Sequence, residues 1–223
     1  MRALAGALLA LALATPARSH RGEVHDPASF VPPAPGTYRL PPIQSVPEGE
    51  VLDTGGRSRP LSAFTRGRIT LLGLVYTRCA DPDGCPRSTW AFQEVRERLR
   101  ADRALEKRVR LVSLSFDPDH DTPAFLRSWG KGARGNAPGA DWDFLTTRSR
   151  RSLAPILNGF GQDLRVASDS SAYPGKEEFT HTLKVFLIDP RGRVREIYST
   201  AFLLPAVVLN DIRTLALEKS ASR

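Results

Sequence analysis

Cys79 and Cys85 are the only cysteines in this 223-residue chain, and they flank the tetrapeptide Asp81-Pro82-Asp83-Gly84. Two thiols this close can cycle between dithiol and disulfide or share a soft metal ion. The intervening residues favour a type I turn: aspartate bonds back to the backbone, proline pre-sets φ at the second position, and glycine relieves the fourth. Such a turn brings the flanking thiols toward disulfide or metal-sharing distance. Pro86 marks a first helical turn, so Cys85 lies near a helix N-cap, where backbone N–H groups and the helix dipole favour a thiolate. Arg78 and Arg87 add to that field, and Asp81 and Asp83 oppose it. A purely structural disulfide closing so short a loop is worth about 2 kcal/mol. A structural bridge would more usefully tie distant segments, so the pair is read as functional.

The chain has four histidines. His20 and His25 lie in a proline-rich N-terminal stretch, and His120 lies in Asp117-Pro118-Asp119-His120-Asp121-Thr122-Pro123. His181 precedes the apolar run Leu183 to Asp189. In a thioredoxin-like sheet the loop entering that late strand packs beside the cysteine loop, which places His181 near both thiols. Two thiolates and a neutral imidazole make a trigonal, soft set suited to Cu(I), whereas Zn(II) normally takes a fourth ligand. His120 is expected at the surface. If an N-terminal leader is cleaved after Ala17, the new terminus Arg18-Ser19-His20 offers square-planar nitrogen ligation to Cu(II). Asp117 and Asp121 are assigned to a turn and a helix cap. Gly130-Lys131-Gly132-Ala133-Arg134-Gly135 resembles a dinucleotide fingerprint, but it follows a helix and does not join strand to helix. No serine triad or catalytic carboxylate pair is identifiable.

Several elements must position these groups. Arg68 to Tyr76 reads as a buried central strand, followed by a helix from Cys85 with Phe92, Val95 and Leu99 on one face. Val109 to Ser115 is the next strand. Thr122 caps a helix with Pro123 in its first turn, expected to end at Trp129 before Gly130 and Gly132. Trp142 to Leu145 is a short strand, and Ser149 to Phe160 is a helix kinked or started late by Pro155. Leu183 to Asp189 and Val194 to Tyr198 form a hairpin around Pro190-Arg191-Gly192, and Pro205 opens the last helix. Upstream, Glu50 to Arg57 reads as a small hairpin with Gly55-Gly56 at its turn. The alternation predicts an α/β, thioredoxin-like fold: a central mixed sheet flanked by helices, with an N-terminal hairpin extension.

Residues 1–17 read as a secretory signal: Arg2, then the apolar run Ala3 to Ala14, then small residues at Thr15-Pro16-Ala17. The run is short for a bilayer span. Export to a periplasm follows, a compartment where the thiols meet oxidant. Residues 18–47 are a proline-rich arm or linker and 48–219 the folded domain. Net charge is +8, carried mostly by arginine. The arginines are scattered along the sequence with no interleaved aromatic stripe, so nucleic acid is excluded as a partner and a solvated basic surface is expected. Membrane contact is expected only through a client or an uncleaved anchor.

Tyr76-Thr77-Arg78-Cys79, Cys85-Pro86, Ser115-Phe116-Asp117-Pro118 with Asp121-Thr122-Pro123, His181, and Phe186-Leu187-Ile188-Asp189-Pro190-Arg191-Gly192 occur here in that order. This set resembles the Sco/SenC proteins, exported thioredoxin-like factors for copper-site assembly in cytochrome c oxidase, over roughly residues 40–217. The resemblance implies copper ligation by Cys79, Cys85 and His181, as Cu(I) with Cu(II) as the alternative state. It implies delivery to oxidase subunit II or another cupro-protein client, or reduction of that client's cysteines, drawing on a thiol reductant partner. The family usually places three residues between its cysteines; here Ala80 to Gly84 intervene. Either the turn takes up the extra length, or copper is held loosely and Cys79 and Cys85 act as a periplasmic thiol-disulfide oxidoreductase pair. The Cys-x-x-Cys spacing of thioredoxins is absent, which weakens a general reductase, and a one-cysteine peroxidase has less support still.

Overall fold

A computed structural model describes residues 31–167 and 178–218. The expected signal segment, His20, His25 and the Arg18-Ser19-His20 terminus lie outside them. The elements in chain order are β1 (Gln44–Ser45), β2 (Glu50–Leu52), β3 (Ser58–Pro60), α1 (Ser62–Thr65), β4 (Ile69–Val75) and α2 (Cys85–Leu99). There follow α3 (Arg103–Glu106), β5 (Val109–Ser115), α4 (Pro123–Arg134), β6 (Asp141–Leu145) and α5 (Arg150–Gly159). The last are β7 (Arg165–Ala167), β8 (Glu178–Thr180), β9 (Val185–Ile188), β10 (Arg193–Tyr198) and α6 (Pro205–Glu218).

Six strands form one mixed sheet in the order β1-β10-β9-β4-β5-β6. β4, β5 and β6 run parallel, while β9, β10 and β1 add antiparallel on the other side. Every residue of β4 is buried, as a strand covered on both faces requires. Alternation then sorts the side chains. Leu187, Leu71, Leu111 and Trp142 are in register and join the core under α2, α4 and α6. Phe186, Leu72 and Val112 form the next row and join the opposite core under α1 and α5. Burial of each such leucine or phenylalanine contributes about 1.5–3 kcal/mol, so these rows fix which way the end of β4 points.

The described part of the proline-rich segment lies against the domain and supplies an edge strand, with Gln44 and Ser45 opposite Val194 and Arg193. Tyr38 and Tyr198 both donate hydroxyl hydrogen bonds to the buried Asp211 carboxylate on α6, and Leu40 enters the core. Glu50–Leu52 and Ser58–Pro60 pair as the expected hairpin. Among the described residues no helix is long and apolar enough to cross a membrane.

Three local expectations are corrected. α4 does not stop at Trp129 but runs to Arg134, and Gly135 at φ 61° is its C-cap. Gly130 stays helical because it lets α4 lie directly on β6: a Cβ there would sit 2.6 Å from a ring carbon of Phe144. α5 starts on time at Arg150, capped by Ser149, with Pro155 inside it. Pro155 and Arg151 are both exposed, so the carbonyl that proline leaves unbonded meets water. The strand before the final hairpin begins at Val185, leaving Leu183 in the approach loop.

The Gly130 contact is testable. Gly130→Val overpacks the α4–β6 seam and should lower stability by about 1–3 kcal/mol in urea denaturation. An unchanged midpoint would show that α4 slides off Phe144 without cost.

Candidate metal centre

β4 ends at the sheet edge where the cysteine loop begins, and two buried carboxylates hold that loop down. Asp121 accepts from the Thr77 N–H (3.1 Å), the Thr77 hydroxyl (2.5 Å) and the Ser115 hydroxyl (2.6 Å). Asp117 pairs with the Arg78 guanidinium at 2.7 Å. Both aspartates are 0% exposed. Breaking a buried, hydrogen-bonded carboxylate from its partners costs about 3–5 kcal/mol, so residues 77 and 78 are fixed relative to β5. The sequence reading gave Asp121 a capping role, but Thr122 caps α4. The missed signal was the polar pair Thr77-Arg78 leaving a buried strand: such groups need partners, and only the next parallel strand's loop is within reach.

The turn between the thiols forms as expected. The Gly84 N–H donates to Asp81 O (3.0 Å), and the Asp83 N–H donates to the Asp81 carboxylate (3.0 Å). Gly84 is the N-cap residue of α2, and Pro86 occupies its first turn. A Cβ on Gly84 would come 3.1 Å from Cys79 Sγ, so glycine here lets that sulfur lie against the helix start. Cys85 points inward: it is 4% exposed, and its sulfur accepts the Tyr76 N–H at 3.4 Å. Cys79 is half-buried, and both thiols are free.

This geometry reverses the proton placement suggested by the helix dipole. The Cys85 thiol donates to Cys79, and with help from the Cys85 backbone N–H this lowers the Cys79 pKa to about 6. The same hydrogen bond, followed by burial, pushes Cys85 upward. The pair therefore holds one shared proton near neutral pH, and Cys79 is the thiolate. The helix terminus acts on the outer sulfur because the inner one has turned into the core. Burial, then the Cys79 charge, also raises the Tyr76 phenol above its ordinary range.

His181 follows β8, in a β7–β8 ribbon that periodicity did not reveal. Its ring lies against Phe116 (4.7 Å between centroids) and Tyr76 (6.0 Å). Its Nδ1 is 3.3 Å from Phe179 O, and its Nε2 is buried with no hydrogen-bond partner. Tyr76 thus touches both halves of the expected site, offering its N–H to Cys85 and its ring to His181. The structure brings Cys79 and Cys85 together. It brings His181 to the same aromatic wall, but among the described residues no three His, Cys, Asp or Glu side chains stand at metal-holding spacing. His120 is exposed beside Phe125, away from this wall. A cavity of about 300 Å³ opens onto both sulfurs between Pro86, Trp90 and Trp129.

Comparison with known proteins gives a consistent result. The sequence profile described as SCO1/SenC matches residues 49–217. A SCO1 protein homolog of Bacillus subtilis is 26% identical over 137 residues, which is 60% of this chain and 63% of that protein. The match thus spans less than two thirds of that relative. Copper-bound ScoI of Bradyrhizobium japonicum superposes with TM-score 0.59 at 22% identity, covering 74% of this chain and 96% of that one. BsSco, solved in work on a disulfide switch in a cytochrome c oxidase assembly protein, gives TM-score 0.59 at 22% identity, covering 79% and 96%. At these identities the likeness establishes the fold, the thioredoxin-like one expected from the sequence.

The shared proton predicts an alkylation profile. Iodoacetamide should react at Cys79 with a pH midpoint near 6. Cys85→Ala removes the donor and should move that midpoint up toward about 8.5, the ordinary thiol value. An unmoved midpoint would mean that the Cys85 thiol does not set the Cys79 charge.

Proposed function

This chain belongs to the SCO1/SenC family, and we propose that it is an exported copper carrier. Its cargo ion is taken by Cys79, Cys85 and His181 and given up during assembly of cytochrome c oxidase, at the copper site of subunit II. The observation that carries this reading is the His181 Nε2: a buried, unpartnered ring nitrogen on the aromatic wall that also holds Cys85. Leaving such an atom without a partner costs about 1–3 kcal/mol, and a metal ion repays it. Two sulfurs and an imidazole nitrogen form the soft set that suits Cu(I). The copper-bound solved relative and the oxidase assembly role of BsSco support the same cargo and client class.

The residues divide the work. Cys79 already carries negative charge at neutral pH and is the half-exposed first point of capture. Cys85 must lose its proton to become the second ligand, so loading releases a proton. His181 closes the set from the end of β8. Asp117 and Asp121 keep the loop in register while the ligands change. Residues 48–219 form the carrier domain, 18–47 the arm, and 1–17 the export signal to the periplasm.

A second reading draws on the asymmetry of the pair. A thiolate at Cys79 can attack a client disulfide, releasing one client thiolate and forming a mixed disulfide. Cys85 then attacks Cys79, freeing the second client thiol and leaving a Cys79–Cys85 disulfide, so two electrons pass to the client. A separate thiol reductant would reset it.

Anaerobic Cu(I) titration separates the two readings. The carrier predicts a 1:1 complex with release of about one proton near neutral pH. His181→Ala should weaken binding by about a hundredfold, the upper range for loss of a mere supporting partner. Full affinity in that variant, with dithiol activity intact, would leave only the oxidoreductase reading.

A further inference from the structure

The arginines are dispersed along the sequence but not in space. At the end of the sheet where β4 begins and β9 finishes, away from the thiols, three turns meet. The Gly67 N–H donates to Pro190 O and the Ile69 N–H to Arg108 O, each at 2.9 Å. The Arg108 guanidinium reaches Ala216 O at the end of α6 (2.9 Å). The Arg66 side chain lies over Gly192, whose Cβ, if present, would sit 3.2 Å from Arg66 Cγ. These contacts bring Arg66, Arg108 and Arg191 to one end of the sheet, with the exposed Lys107 next to Arg108 in the chain.

None of the four pairs with a carboxylate among the described residues; the nearby acids bind other arginines, Glu218 through one of its two oxygens. Asp189 is 3% exposed and binds Arg193 and Arg195. Glu218 binds Arg195, and Asp141 binds Arg68. A cavity of about 360 Å³ opens between Gly67, Arg191 and Leu215. Beside this basic rim stand two exposed aliphatics, Leu217 (53%) and Ile43 (52%), the latter bonded to Val194 O in the adjoining edge strand. Cations gathered at one pole raise the local positive potential, which attracts an anionic surface.

We propose that this pole docks on the headgroup layer of an anionic phospholipid bilayer. Guanidinium forks match phosphate oxygens bidentately. The four cations are carried on three turns around one end of the sheet, a spread-out array that fits a flat sheet of headgroups better than a single extended polypeptide. Leu217 and Ile43 reach the acyl boundary. β4 carries the chain from this pole to the thiol loop, about 23 Å for seven residues, so a docked molecule presents Cys79 away from the lipid. The proposal is independent of copper.

The test is flotation of the full chain with zwitterionic and with phosphatidylglycerol-containing vesicles. The apolar run Ala3 to Ala14 partitions into both, so the reading is the extra binding to the anionic vesicles. Arg66→Gln/Arg191→Gln should reduce that increment about 25-fold, at roughly fivefold per cation. Arg148→Gln/Arg151→Gln removes the same charge where β6 leads into α5, at the thiol end, and should change it less than about twofold. Salt near 0.5 M should abolish the increment, since it shortens the screening length to a few ångströms. An equal drop in both variants would show diffuse attraction and overturn the proposal. So would the absence of any increment, or pole-dependent binding to polyglutamate without binding to vesicles.

Discussion

The unequal burial of two neighbouring sulfurs organises the functional end of this molecule, with Cys85 turned inward and Cys79 half-buried. When the Cys85 thiol donates to Cys79, the outer sulfur becomes charged and the inner one stays protonated and buried. That division needs Cys85 turned under the Tyr76 N–H and Cys79 resting on the start of α2. Both follow from the backbone path between β4 and α2, and Asp117 and Asp121 hold that path from the neighbouring strand's loop. The five residues between the thiols are taken up by a hydrogen-bonded turn that brings Cys79 Sγ back against the start of α2.

The sheet explains why the end of β4 can bear such a site. A strand buried on both faces and in register with partners on either side cannot slip by one residue without moving each apolar side chain to the other face. The rigid strand fixes Tyr76, which touches Cys85 through its N–H and His181 through its ring. His181 instead follows a shorter, two-stranded ribbon outside the main sheet. Its ring nitrogen is buried without a hydrogen-bond partner, which under the proposed reading is the atom left open for an ion.

Much of this was legible from residue types and spacing. The apolar run at 69–75, the stripe Phe92, Val95 and Leu99, the Asp81 to Gly84 turn and the Pro190 to Gly192 hairpin all appear where local chemistry places them. What the sequence hid depends on contacts between distant elements. The extent of α4 depends on Phe144 accepting Gly130, 14 residues away in sequence. The work of Asp121 depends on Thr77, 44 residues upstream. The inward turn of Cys85 and the gathering of arginines from three turns appear only once the sheet brings those turns together. Local propensity carries no record of any of these.

X-ray absorption on the anaerobically Cu(I)-loaded protein, wild type against His181→Ala, reads the copper ligands themselves. Two sulfur scatterers and one imidazole nitrogen are expected in the wild type, with the nitrogen lost in the variant and both sulfurs kept. Identical spectra for the two proteins, or sulfur ligation alone in the wild type, would contradict convergence of His181 on the thiols and with it the three-ligand carrier.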